Sequence, residues 1–150
     1  MIYKNINKIK EDQFRGKSII AIDFGTKRFG IAISDSNQTI ATPKLNYERK
    51  NIEKDIKRIY DLLIELDTNL ILLGLPKNLD NSSITTTQQV KSFANILLKK
   101  LNVDIFYWDE RYSSKAAMDI TKHKEFDGKK DDKIAATIIL QTFLNFVNNF

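Results

Sequence analysis

The acids of this chain best placed for chemistry sit where apolar runs begin or stop. Asp23 closes the run "SIIAID", Asp109 and Glu110 follow "VDIFYW", and Asp131 and Asp132 open "DDKIAATIILQTFLNFV". If that last stretch is one helix, Asp132 shares a stripe with Ala136, Ile139 and Phe143, and such a stripe faces a core. An unpaired carboxylate there is heavily penalised, and three brought together repel or take up protons unless a cation offsets them. A divalent metal held by oxygens alone is the tolerable solution. Mg²⁺ suits such a site because it accepts one or two carboxylates while keeping waters. The plainer alternative is an Asp that bonds its own backbone in a turn, with Asp131 and Asp132 open to confusion. Spacing alone leaves these readings side by side.

Composition narrows the chemistry further. The chain has no cysteine and one histidine, so a disulfide framework, a thiolate nucleophile, a cysteine zinc site and a histidine cluster are all excluded. Carboxylates must carry any demanding step. A formal charge of +5 and a pI near 9.3 hint at a polyanionic partner. No apolar run approaches the roughly 18 residues of a membrane span. The N-terminus "MIYKNINKIKEDQF" has no continuous hydrophobic stretch to act as a signal. A cytoplasmic protein without a membrane partner is the expectation.

The elements that must position these acids follow an α/β order. Residues 18–23, 28–34 and 39–45 are short runs rich in β-branched residues, separated by "FGTK" and "DSNQ", and predict three antiparallel strands. Between Arg49 and Leu66, Ile52, Ile56, Ile59, Leu62, Leu63 and Leu66 recur at helical spacing. Residues 69–76 predict a buried strand ended by glycine and proline, and residues 85–101 a second helix with Val90, Phe93, Ala94, Leu97 and Leu101 on one side. Residues 103–108 give a fifth strand. "SSKAAMDITK" then predicts a helix capped by serine, "HKEFDGKK" a loop, and the apolar stretch from Asp131 a last helix. The expectation is a single domain over residues 1–150, with residues 1–17 loosely attached. Its architecture is a five-stranded mixed sheet, three antiparallel strands and then alternating helices and strands, with helices on both faces. Asp23 and Glu110 fall at carboxyl ends of strands, where α/β sheets open into a ligand crevice.

"IDFGTKRFGIAISD", "LLGLPKNLDNSS", "DERYSS" and "DDKIAATIILQ", in that order and spacing, resemble the YqgF family, described as pre-16S rRNA nucleases and Holliday junction resolvase-like proteins of RNase H-like fold. Each motif alone is weak; four in order over residues 18–146 are specific. The resemblance implies that Asp23, Glu110 and Asp132 are the catalytic metal ligands, and it favours Asp132 over Asp131. Two departures are visible. Asn81 stands where the family usually has glycine, a turn asparagine also tolerates, and Ser113 and Ser114 stand where "DER" usually continues with threonine.

What the resemblance implies is a metal-dependent endonuclease acting on structured nucleic acid, most naturally the 5′ end of pre-16S rRNA in ribosome biogenesis. Mg²⁺ or Mn²⁺, as two ions about 4 Å apart, would activate water and stabilise the leaving 3′ oxygen. Around the acids, Arg28 and Arg111 would either hold a phosphate through bidentate hydrogen bonds or simply neutralise the carboxylates. Asn78, Ser82 and Ser83 lie at the same sheet end, the serines reading as helix caps. Lys129, Lys130 and Lys133, with Lys27 and Lys115, would hold the nucleic-acid backbone. Gly25 and Thr26 fit a tight turn and Gly30 a close backbone approach. His123 reads as solvated, and Trp108 as core rather than as a base-stacking partner with Tyr112. Structured RNA is preferred to branched DNA as partner, with the chain a monomer or homodimer. The rival readings are a Holliday junction resolvase-like DNA nuclease, a non-catalytic RNA-binding assembly factor, and an actin-like ATPase. The last needs two such domains where 150 residues supply one.

Overall fold

The computed structural model describes residues 1–76, 81–113 and 131–149, with the side chains of residues 81–85 outside that description. Six strands form one mixed sheet: β1 (Ile2–Tyr3), β2 (Ile19–Phe24), β3 (Arg28–Ser34), β4 (Ala41–Glu48), β5 (Leu70–Leu75) and β6 (Asp104–Asp109). Their spatial order is β1-β6-β5-β2-β3-β4. The β2, β3 and β4 strands pair antiparallel as the sequence predicts, while β2 with β5, β5 with β6 and β6 with β1 pair parallel. The carboxyl ends of β2, β5 and β6 therefore share one edge with the start of β3 and the end of β4.

Alternation along the strands builds two cores. Ile20, Ile22, Ile31, Ile71 and Leu73 point to one face, where they pack with Ile56 and Ile59 of α1 (Ile52–Glu65) and Phe93 and Leu97 of α2 (Asn81–Lys100). Ile19, Ala21, Ala32, Leu70, Leu72, Phe106 and Trp108 point to the other, against Ala136, Ile139, Leu140 and Phe143 of α3 (Asp132–Asn148). Each large side chain fully buried in this way contributes about 1.5–3 kcal/mol. Small residues on β2, β3 and β5, Ala21, Ala32, Gly30 and Gly74, let α3 lie close to the sheet there.

Several expectations change. The second helix begins at Asn81 rather than at residue 85, so Ser82 and Ser83 lie within it and do not cap it. The N-terminal residues are not loosely attached: Ile2 and Tyr3 add a sixth strand to the edge beside Ile105 and Phe106. Ile9 and Phe14, on two short 3₁₀ turns, are 3% and 1% exposed in the α3-side core. Turns this short carry no periodicity for a sequence to display. Serine does not cap the segment after β6 either. There the Asp109 carboxylate accepts the Arg111 amide at 2.9 Å, and Ser113 is already helical and buried, its hydroxyl 3.0 Å from that of Thr142. The remainder of the predicted helix and the loop after it, with Ser114, Lys115, His123, Lys129 and Lys130, lie outside the described residues, as does Asn78.

Candidate active site at the carboxyl edge of the sheet

Asp23 is the fifth residue of β2, on the face that carries Ile19 and Ala21 towards α3. Directly opposite it on β3 is Gly30, and opposite Gly30 on β4 is Asn46. On its other side, the parallel ladder sets Ile22 beside Leu73, so that Gly74 follows beside Asp23, and Gly74 in turn pairs with Trp108. A single row thus crosses the sheet: Trp108, Gly74, Asp23, Gly30, Asn46. Asp23 has a glycine on either hand.

Each glycine is the seat of another acid. A Cβ on Gly30 would collide with the backbone carbonyl of Asp132, so the first residue of α3 rests directly on β3. A Cβ on Gly74 would lie 2.7 Å from a Glu110 carboxylate oxygen and 2.9 Å from Ile139 Cδ1. Glu110 itself extends the β5–β6 ladder, its amide donating to the Leu75 carbonyl at 2.9 Å, and its side chain folds back over Gly74. With strands about 4.8 Å apart, the three acids occupy neighbouring positions along one row. The close approach expected at Gly30 is present. The matching role of Gly74 has no sequence signal beyond a glycine near a strand end.

The two acids at the head of α3 separate cleanly. Asp131 is the N-cap, its carboxylate accepting the Lys133 amide at 3.2 Å and the Asn46 side-chain amide at 3.1 Å. Asp132 is half-buried and paired with Arg28, Nε to Oδ2 at 3.3 Å. Arg111 grips Asp109 through Nε and Nη2, at 3.0 and 2.7 Å to Oδ2. Hydrogen bonding to Asp109 and its charge push the Arg111 guanidinium above its ordinary range. Both arginines thus lie against acids of this edge.

The donor set, three carboxylates and no nitrogen or sulfur ligand, matches what a hard divalent cation takes. As the side chains lie, no group of three or more acidic, histidine or cysteine residues among the described residues is close enough to share an ion. The backbone thus gathers the anchors of Asp23, Glu110 and Asp132, while their carboxylates do not converge on one point.

Neighbouring residues settle into structural work. Gly25 forms the β2–β3 turn, where a Cβ would meet the Arg28 carbonyl. Arg49 donates to the Gly25 carbonyl at 3.1 Å, lies over the rings of Phe24 and Phe29, and pairs with Asp55 at 3.0 Å. Asp55 is 1% exposed and also accepts from the Tyr47 hydroxyl and the Lys50 amide. Trp108 is core, 4% exposed, with its indole N–H donated to the Thr142 hydroxyl; Tyr112 is exposed beside it. Sequence reading missed Asn46, Arg49 and Asp55. Asp55 lies on the apolar stripe of α1, three residues after Ile52 and four before Ile59, so its burial had a periodic signal, whereas Asn46 meets partners 85 and 87 positions away.

Comparison with known proteins agrees with this architecture. A protein from Ehrlichia ruminantium (strain Welgevonden) named "Putative pre-16S rRNA nuclease" is 40% identical over 151 residues, covering 98% of this chain and 97% of the relative. One of the same name from Fusobacterium nucleatum is 39% identical over 135 residues, covering 86% and 97%. Among solved structures, Thermus thermophilus RuvC in complex with a Holliday junction substrate superposes with a TM-score of 0.62 at 10% identity, covering 88% of this chain and 96% of that one. That likeness establishes the RNase H-like fold. The family model RuvX, described as Holliday junction resolvase, matches residues 17–146. The chain therefore belongs to the RuvX family, the YqgF family of the sequence resemblance, and is a hydrolase of the nuclease class.

Proposed function

We propose that this chain is a metal-dependent endonuclease, a single cytoplasmic domain that trims the 5′ end of precursor 16S ribosomal RNA. The observation that carries the reading is the row in which Asp23 stands between two glycines, with Glu110 lying over one and the head of α3 with Asp132 over the other. Glycine at both seats brings the backbones of three acids side by side, within reach of one bound cation that would offset their like charges. Bound Mg²⁺ or Mn²⁺ would supply an activated water and stabilise the departing 3′ oxygen.

The chain's own residues do the rest. Asp23, Glu110 and Asp132 hold the metal. Arg28 balances Asp132 in its absence and stands at the rim, where a phosphate offers the guanidinium an alternative partner. Arg111 and Asn78 would contribute to holding the substrate. Lys133, with Lys129 and Lys130, offsets the repulsion between an acidic site and a polyanion. RNA is favoured over branched DNA by the names of the relatives that match nearly end to end. The family description keeps junction DNA as the second reading.

The test is cleavage of end-labelled precursor 16S RNA and of a four-way DNA junction, with Mg²⁺ or Mn²⁺ and with chelator, using Asp23→Asn as control. We expect metal-dependent cuts in the RNA near the mature 5′ end and none with the variant. Preferential symmetric cutting of the junction would transfer the assignment to DNA. Binding of RNA without cleavage under any metal would make the chain an assembly factor.

A further inference from the structure

We infer that Asn46 is a positioning residue for the active site, a two-handed clamp that sets where α3 delivers Asp132; the inference rests on the reading of Asp132 as a metal ligand. Asn46 stands on β4 opposite Gly30, which stands on β3 opposite Asp23. Its side chain spans the head of α3. The amide nitrogen donates to Asp131 Oδ1 at 3.1 Å, and the amide oxygen accepts the backbone N–H of Lys133 at 2.7 Å. Asp132 is the residue between those two anchors, and its backbone is the part of α3 that lies on Gly30. Side chain and glycine act together: one removes the obstacle to close approach, the other fixes the register of the helix that approaches. The first-turn amides of a helix have no partner within it, and at the Lys133 amide Asn46 adds a shorter bond to the one from the Asp131 cap.

Asn46 is itself solvent-exposed. Its truncation therefore leaves neither a cavity nor a buried unsatisfied group, and its effect on activity separates from its effect on folding. Groups that orient ligands without touching the metal typically cost 10–100-fold in metal affinity or activity when lost.

The experiment compares wild type, N46A, N46D and the exchanged pair N46D/D131N as full chains. The first readout is the Mn²⁺ concentration giving half of the metal-induced rise in melting temperature. The second is kcat and KM for RNA cleavage. In chelator we expect N46A to melt within a few degrees of wild type. It should need about 10–100-fold more Mn²⁺ and lose turnover to a similar degree at limiting metal, with KM unchanged. N46D sets a second carboxylate against Asp131 and should be worse than N46A. The exchanged pair restores a donor facing an acceptor, and its substitution at 131 keeps a good helix cap, so it should return the metal requirement to within about threefold of wild type. Wild-type metal requirement and turnover in N46A, or a folded exchanged pair no better than N46D, overturns the inference while leaving the metal reading intact. If wild type shows neither metal stabilisation nor cleavage, that reading fails and the inference with it.

Discussion

Asp23 and Gly30 face each other across the β2–β3 ladder, and the space that a side chain of Gly30 would fill is taken by the backbone of Asp132. The proximity of two acids 109 positions apart in the chain is thus fixed by an absent Cβ rather than by a contact between their side chains. Gly74 does the same for Glu110 on the other side of Asp23.

The two glycines should nevertheless fail differently when substituted. Gly30→Ala drives a methyl into helix backbone, which cannot yield without moving α3, and should destabilise by about 1–3 kcal/mol, at the upper end of overpacking costs. Gly74→Ala meets the Glu110 side chain and the tip of Ile139, both able to swing aside. Its stability cost should stay below about 1.5 kcal/mol, while the displaced carboxylate lowers turnover. Urea denaturation together with RNA cleavage rates checks the pair. An active Gly74→Ala protein would separate Glu110 from the chemistry.

Much of this architecture was legible because it depends on local periodicity. The apolar stripes of α1, α2 and α3 and the short apolar or β-branched runs of β2 to β6 announce themselves, and Asp23 and Glu110 are marked by their place at strand ends. Gly30 could be read as a close approach. What could not be read depends on tertiary partners. Phe14 is buried because Tyr3 and Phe106 meet it, on a turn too short to show a period. Spacing leaves Asp131 and Asp132 open to confusion, which only the family resemblance resolves, and in space the N-cap bond of the first separates them. Asn46 is one polar residue in an edge strand until α3 arrives.

The Asp55–Arg49 pair offers a test of how the Asp23 turn is held. Asp55 is buried and bonded to Arg49, Tyr47 and the Lys50 amide, while Arg49 ties the Gly25 carbonyl. Removing one partner of a buried pair strands the other, at about 3–5 kcal/mol. Asp55→Ala should lose stability in that range by chemical denaturation, with faster amide exchange in the turn at residues 25–27. Asp55→Asn, which keeps an acceptor for Tyr47 and Lys50, should lose less. Equal stability of Asp55→Ala and wild type would remove this network from the account of how the turn is fixed.

Acid sensitivity has an identifiable contributor in Asp35. Burial pushes its carboxyl up, but the amides of Ile40 and Thr39 and the Thr39 hydroxyl together outweigh that and hold it below its ordinary value. A carboxyl depressed by folding stabilises fully above the unfolded value, near 3.9. That contribution drains away as pH falls through the folded value. Asp35→Asn keeps an acceptor and should cost about 1 kcal/mol at pH 7. The gap to wild type should narrow as pH falls below about 4. A gap that is constant with pH would mean that the charge contributes nothing to the β3–β4 turn.

The acids themselves give the decisive test, because their effects on stability and on chemistry have opposite signs. Asp23→Asn, Glu110→Gln and Asp132→Asn should each reduce cleavage by more than about 100-fold, since even residues that only orient metal ligands cost 10–100-fold. Without metal, each substitution removes a negative charge from an acidic edge and relieves repulsion there. Asp132→Asn also breaks the pair with the exposed Arg28, a loss of at most about 1 kcal/mol. Metal at 100 times its dissociation constant should then stabilise wild type by about 2.7 kcal/mol and each variant by much less. Calorimetry or thermal denaturation with and without Mn²⁺ reads this directly. Equal metal-induced shifts in wild type and Asp23→Asn would place the ion away from this edge of the sheet, and the active-site assignment would go with it.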